Sequence, residues 1–292
     1  MKTAFFSKLA LQGMKKNKKL YIPYIISGIG SVMMYYIMRY LGVCPLLKTM
    51  KGGRSLGIVL TLGQIVIAVF SVIFLFYTNS FLIRRRYKEF GLYNVLGMDK
   101  KKISRIVVLE SVITAAVSIV VGSLLGILIS GGAQWALMKV VRENLPIKFS
   151  LSLSTIIYTA VVYAAIFFLI MLKSLIQVRK AKPIELMQSE TAGEKPPKSN
   201  LLLAIPGVII LVTAYVIAVS IKNPLEAFIS FFIAVILVII ATYLLFIFGS
   251  VTLCGLLKKN KKYYYKKQHF VSVSSMAYRM KRNGAGLASI CI

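Results

Sequence analysis

Acidic residues are scarce in this sequence. Eight Asp and Glu stand against 37 Lys and Arg, and the single histidine, His269, has no acidic cluster beside it. Nothing resembles a catalytic dyad or triad, and a histidine-based metal site within one chain is not expected. Cysteine is also rare. Cys44, Cys254 and Cys291 lie in or beside apolar segments, with neither a disulfide framework nor a metal-ligand spacing. The phosphate loop G-x-x-x-x-G-K-[ST] is missing, so the chain does not energise itself with ATP by that route. No enzyme activity, cofactor or metal is expected from these residues.

What is abundant is apolar sequence. Apolar residues make up 58% of the 292 positions, with a mean hydropathy of +0.78, where soluble domains run nearer to about 45–50%. No charge occurs from Ser55 to Ile83 or from Ser111 to Met138. Each run exceeds the roughly 20 residues that cross a bilayer as a helix. The fold class is therefore all-α, a polytopic membrane protein. In such a chain a net charge of +29 is an orientation signal and a contact for anionic lipids, so nucleic acid is not expected as a partner. The first apolar run has no small-residue cleavage pattern behind it and reads as a retained helix.

Six full transmembrane helices and the start of a seventh are expected, with a cytoplasmic N-terminus. Residues 1–20 form a basic juxtamembrane segment, either a surface helix or an ordinary positive-inside tail. The first span covers about Leu20 to Leu41. Pro23 sits in its first turn, Ser27, Gly30 and Ser31 allow close helix approach, and Arg39 snorkels near the outer end. The second covers about Gly57 to Ile83. The third, about Ile106 to Ser130, carries Ser118, Gly122, Gly126 and Ser130 at four-residue spacing, a small-residue seam for backbone-close packing. An outer loop from about Gly131 to Ser150 leads to a fourth span, Leu151 to Leu172. Residues 184–200 form a cytoplasmic linker, and 201–257 hold spans five and six. Residues 258–292 comprise a cytoplasmic segment and an uncharged stub, NGAGLASICI, which reads as a seventh span cut short in the N-terminal portion of a longer membrane protein. With this topology the inner segments hold 29 basic residues and the outer loops 7, which fixes the orientation.

One polar stretch stands out. Residues 84–105, RRRYKEFGLYNVLGMDKKKISR, hold eight basic residues and two acids between two uncharged runs. Tyr87, Phe90, Leu92, Tyr93 and Leu96 are too apolar for a solvated loop, so they pack on a partner or on the stalk itself. Gly97 suits the left-handed residue that ends a helix, and Asp99 the cap of the next. Lys100, Lys101 and Lys102 then oppose the helix dipole, at about a few tenths of a kcal/mol each, a placement favouring topology, lipid or an acidic partner. Glu110 is the one acid inside an expected span. Pairing with Arg84–Arg86 or snorkelling outranks proton transfer for it.

The same stretch carries a resemblance. Its basic run Arg84-Arg85-Arg86, Glu89, Gly91, Leu96-Gly97-Met98 and Lys100-Lys101-Lys102, leading into a span, resembles the FtsX-like permease domain of ABC transporters. The resemblance covers about residues 57–173 well, within a four-span core expected at 21–183. The short loop after the first span is similar to that of bacitracin-type (BceB-like) permeases of Gram-positive bacteria. That resemblance implies ten spans, a large external domain between spans seven and eight, a separate ABC ATPase dimer, a membrane sensor histidine kinase, and a peptide antibiotic or lipid-linked complex as ligand. It also implies that 84–105 couples to the ATPase, through Tyr87, Glu89, Phe90, Gly91, Leu96, Gly97, Met98, Lys100 and Lys101. A non-transporting signalling protein, acting through a sensor kinase or a cell-wall hydrolase, is the alternative.

Overall fold

The computed structural model describes residues 2–44, 52–141, 152–180, 201–220 and 224–259, with 264, 270, 272–276, 287–288 and 291–292. No strand occurs among the described residues. The chain divides into two compact units, Met1–Ala192 and Gly193–Ile292.

The first unit holds α1 (Lys2–Lys16), α2 (Lys18–Val43), α3 (Gly53–Arg85), α4 (Tyr87–Val95), α5 (Lys100–Val141) and α6 (Leu153–Lys180). α2, α3, α5 and α6 are long and apolar enough to cross a membrane. In lipid every backbone group must be satisfied within the segment, which the helix achieves. Association then relies on close packing and interhelical hydrogen bonds. Both are present. Tyr163 of α6 sits at 0% exposure, its hydroxyl 2.9 Å from Ser71 Oγ of α3 and donating to Ser31 O of α2 at 2.7 Å. Gln64 donates to Tyr35 OH at 2.6 Å, and Asn79 Nδ2 to Ser174 Oγ at 2.5 Å. Each of these bonds ties two helices at a different depth.

Several details differ from the sequence reading. Asn17 separates α1 from α2, and its carbonyl accepts from the amides of Leu20 and Tyr21. α2 thus begins at Lys18, and Pro23 lies inside it, beyond the first turn. The proline has no amide hydrogen, so the helix forgoes one backbone bond there. Gly30 faces open space, and the close approach falls on Gly28, where a Cβ would stand 2.6 Å from Ser118 Oγ. The guanidinium of Arg39 lies over the Tyr158 ring at 4.2 Å rather than reaching out alone.

The expected outer loop at 131–150 is helical as far as Val141. α5 runs for 42 residues, roughly 63 Å at 1.5 Å per residue. Tertiary packing explains the extension. Met138 joins Tyr36, Tyr40, Leu41 and Leu60 in one buried cluster. Gln134, fully buried, accepts from Tyr40 OH at 3.4 Å and donates to Cys44 Sγ at 3.7 Å. Both residues continue the buried stripe of the helix beyond the Gly131-Gly132 pair.

The second unit holds α7 (Leu201–Ser220), α8 (Pro224–Leu244), a π-helical turn (Leu245–Gly249) and α9 (Ser250–Lys259). Ile229–Lys259 is a fifth helix apolar and long enough to cross a membrane, and Ala204–Ser220 is a shorter apolar one. The π turn interrupts the expected sixth span, and Ser250 Oγ donates into it at Phe246 O. The side chain of Glu226, the linker at 184–200 and most of the expected seventh span lie outside the described residues.

Candidate functional site

The stretch singled out in the sequence is a short helix on a buried polar base. Only one residue, Arg86, separates α3 from α4. Its amide closes the end of α3 on Ile83 O at 3.1 Å, and its carbonyl accepts from Phe90 N at 3.1 Å. Arg86 is 1% exposed, the largest of the fully buried side chains among the described residues.

A buried guanidinium demands partners, and they come from three elements. Arg86 Nη1 donates to Glu110 of α5 and, at 2.5 Å, to Tyr21 OH of α2. Tyr21 OH in turn donates to Glu110 Oε2 at 2.9 Å. Arg86 Nε donates to Glu89 of α4 at 3.0 Å. Glu89 also accepts from Asn17 Nδ2 at 2.7 Å, and Asn17 reaches back to Gly13 O of α1 at 3.1 Å. The faces of the Tyr21 and Phe90 rings lie 5.5 and 5.0 Å from the guanidinium. Burial works against the charge on Arg86, but Glu110, Tyr21 and Glu89 together outweigh it and raise its pKa above the ordinary arginine value. Gly13 lets α1 close over the pair: a Cβ there would stand 3.1 Å from both Arg86 Nη2 and Glu110 Oε1. Those two atoms are buried without hydrogen-bond partners.

Glu110 therefore pairs with Arg86. The pairing was open in the sequence; the choice of Arg86 over Arg84 and Arg85 was not visible, because three adjacent arginines look alike and only the α3–α4 junction turns one inward. Asn17, Tyr21 and Gly13 escaped sequence reasoning altogether. A polar residue between two helical runs was the one available signal for Asn17.

Above this base, α4 divides into two faces. Phe90 is fully buried and Gly91 buried, while Tyr87, Tyr93 and Met98 pack against the main core cluster. Leu92, Val95 and Leu96 are 53%, 64% and 71% exposed. The stalk thus covers only part of the apolar set. α4 ends in a Schellman motif: Gly97 has φ +85°, its amide bonds Asn94 O at 3.0 Å, and the Met98 amide bonds Tyr93 O at 2.9 Å. Tyr93 and Met98, at the two positions where an apolar pair accompanies the motif, both pack against the main core cluster. Asp99 stands at the start of α5, where its carbonyl accepts from Lys102 and Ile103. Lys100 Nζ donates to Arg179 O of α6 at 3.0 Å, and Lys101 is exposed. No atom lies within 4 Å of a Cβ built on Gly97, so Gly97→Ala has a purely conformational cost. A loss of about 1–2 kcal/mol is expected, read as a lower thermal midpoint of the purified protein.

The seam residues Ser118, Gly122, Gly126 and Ser130 are all buried on one face of α5. They lie away from α4, and three of them face α2. Ser118 meets Gly28, and Cβ atoms on Gly122 and Gly126 would approach Val32 and Tyr36 to 2.7 Å.

Among the described residues there is no group of three or more His, Cys, Asp or Glu able to hold a metal ion. Residues 62–183, which include α4 with Arg86, Glu89 and Glu110, match the family described as FtsX-like permease C-terminal. The chain is 29% identical to the bacitracin export permease protein BceB of Bacillus subtilis (strain 168), over 97% of its own length and 45% of that protein. It is 28% identical, with the same coverage, to the protein of that name in Halalkalibacterium halodurans. It is also 25% identical to the uncharacterized ABC transporter permease YvcS of Bacillus subtilis, over 94% of this chain and 42% of that one. The chain spans about half the length of the curated relatives it matches. Over residues 62–183 this multi-pass cell-membrane protein is thus similar to FtsX-like permeases, and along most of its length to part of ABC transporter permeases about twice as long.

Proposed function

We propose that this chain is part of the membrane subunit of a transporter that exports or detoxifies peptide antibiotics such as bacitracin, driven by a separate ABC ATPase dimer. The relatives' printed activity supports the ligand class. In this reading the N-terminus is cytoplasmic, six spans cross the membrane and a seventh begins near the end. Residues 1–20 form a juxtamembrane helix, 21–183 the permease core, 184–200 a linker, 201–257 the fifth and sixth spans, and 258–292 a further cytoplasmic segment with the start of the seventh. A membrane sensor kinase is a further partner.

The observation that carries the coupling role is the division of α4. Its base is clamped by Arg86 and Phe90, and Leu92, Val95 and Leu96 near its tip are exposed. An exposed apolar patch on a rigid, anchored element suits a protein partner. ATP-driven closure of the ATPase dimer would push on the tip, and the Arg86 node would pass the displacement to α1, α2 and α5. Lys100 and Lys101 add positive charge beside the tip, suited to an acidic rim on the ATPase.

The test is capture of the partner. Val95→Ser with Leu96→Ser, both exposed, is expected to leave the thermal midpoint unchanged. It should weaken co-purification of the ATPase by about 30-fold, taking about 1 kcal/mol per contact residue. Undiminished capture and resistance in this variant would refute the coupling assignment.

A further inference from the structure

A groove of about 930 Å³ lies on the first unit between α1, α5 and α6. It has a chemically divided lining. Lys100, Lys101 and Arg105, from the first turns of α5, meet Arg179, from the last turn of α6, at one end. Phe6, Val108, Leu109 and Leu175 form the apolar remainder. Among the described residues no acidic side chain lines it. Ser104, 4% exposed, also lines it, and its hydroxyl is buried without a hydrogen-bond partner.

We infer that this groove is a binding site for one anionic phospholipid, its phosphate held by the basic end and its acyl chains laid along the apolar wall. The inference rests on the proposed cytoplasmic placement of these helix ends. Four features support it. The order of groups along α5, from Lys100–Lys101 through Arg105 to Val108–Leu109, runs from charged to apolar in the direction of the span, as a phospholipid does from headgroup to chain. Each basic residue near an anionic surface adds about a fivefold preference for negative lipid. The unpartnered Ser104 hydroxyl supplies a donor for a phosphate or ester oxygen. The volume suits a headgroup with the first part of its chains. A soluble partner meeting only the basic rim would leave Val108, Leu109 and Leu175 uncovered behind it. α1 closes the third side with Phe6, so the lipid would brace α1 against the helices that carry the Arg86 node.

The full chain, purified in detergent, is to be offered equal amounts of phosphatidylglycerol and phosphatidylcholine in mixed micelles. Retained lipid is then counted by native mass spectrometry. Phosphatidylglycerol should be retained in preference. Arg105→Gln with Arg179→Gln, both exposed positions, should weaken its retention about 30-fold. Phe6→Ala should weaken retention of both lipids while the preference for the anionic one persists. Equal retention of the two lipids by the unaltered chain overturns the inference. So does undiminished phosphatidylglycerol in the double variant, or unchanged retention of both lipids in Phe6→Ala. Loss of ATPase capture in the double variant with lipid retention intact assigns the groove to the ATPase and overturns it as well. The lipid count involves neither ATPase nor membrane orientation, so it fails independently of the proposed transport role.

Discussion

Arg86→Met is expected to destabilise the protein by about 3–5 kcal/mol, and the double variant Arg86→Met, Glu110→Met to recover most of that loss. The single change leaves the Glu110 carboxylate buried at 2% exposure, with Tyr21 OH as its one remaining donor. An uncompensated buried charge is costly, whereas an apolar pair of similar volume removes both desolvation penalties at once. Glu89 tolerates either variant better, because its side chain is 22% exposed and water can reach it. Unfolding of the purified protein in detergent measures the stabilities. Limited proteolysis of the 96–99 turn reports separately whether α4 has come loose. The single variant should be cleaved faster and the double variant should be both stable and protected. If the double variant stays as unstable as the single one, the ion pair is not what holds the base of α4. If it is stable but fails to couple, the node has a role in transmitting motion beyond anchoring, which an apolar substitute cannot reproduce.

Gly122→Leu is expected to disrupt the α2–α5 contact, with a loss of at least about 3 kcal/mol and a marked fall in folded yield. Even a methyl group there would stand 2.7 Å from Val32 Cβ and 2.9 Å from Ile29 O. The second of these is backbone, so no rotamer change relieves it and α2 has to move. That helix also carries Tyr21 and Tyr35, so a shift would reach the Arg86 node and the Gln64 bond together. Gly30→Ala is the matched control. It lies on α2 with nothing within 4 Å of its Cβ, and alanine is favoured over glycine in a helix by roughly 1 kcal/mol. Its thermal midpoint should hold or rise. Equal behaviour of the two variants would mean that the seam is not under packing constraint.

The seam was legible because four-residue spacing places small side chains on one helix face whatever the fold. Its partner was not. Ser27, Gly30 and Ser31 offered the same composition on α2, yet Gly28 makes the contact, since the register between two helices depends on their crossing and not on either sequence alone. The end of α4 was legible for a similar local reason. A glycine followed by Asp99 and a lysine run specifies a left-handed stop, and Gly97 takes φ +85°. The continuation of α5 to Val141 was hidden, because Gly131-Gly132 read as a break and only the burial of Gln134 and Met138 against α2 overrides that preference.

The sequence by itself determined that this is a helical membrane protein. Long uncharged runs have no other stable form in lipid. It also marked residues 84–105 as the polar element worth following. Only the tertiary structure decided what that element does with its charges. Of three consecutive arginines, the one at the α3–α4 junction turns inward, meets a carboxylate 24 positions away and gathers Tyr21, Glu89 and Asn17 around it. The apolar residues of α4 then divide between a buried base and an exposed tip. Burial is a property of neighbours brought together by the chain's path, and no local pattern in a run of like residues encodes which of them will be covered.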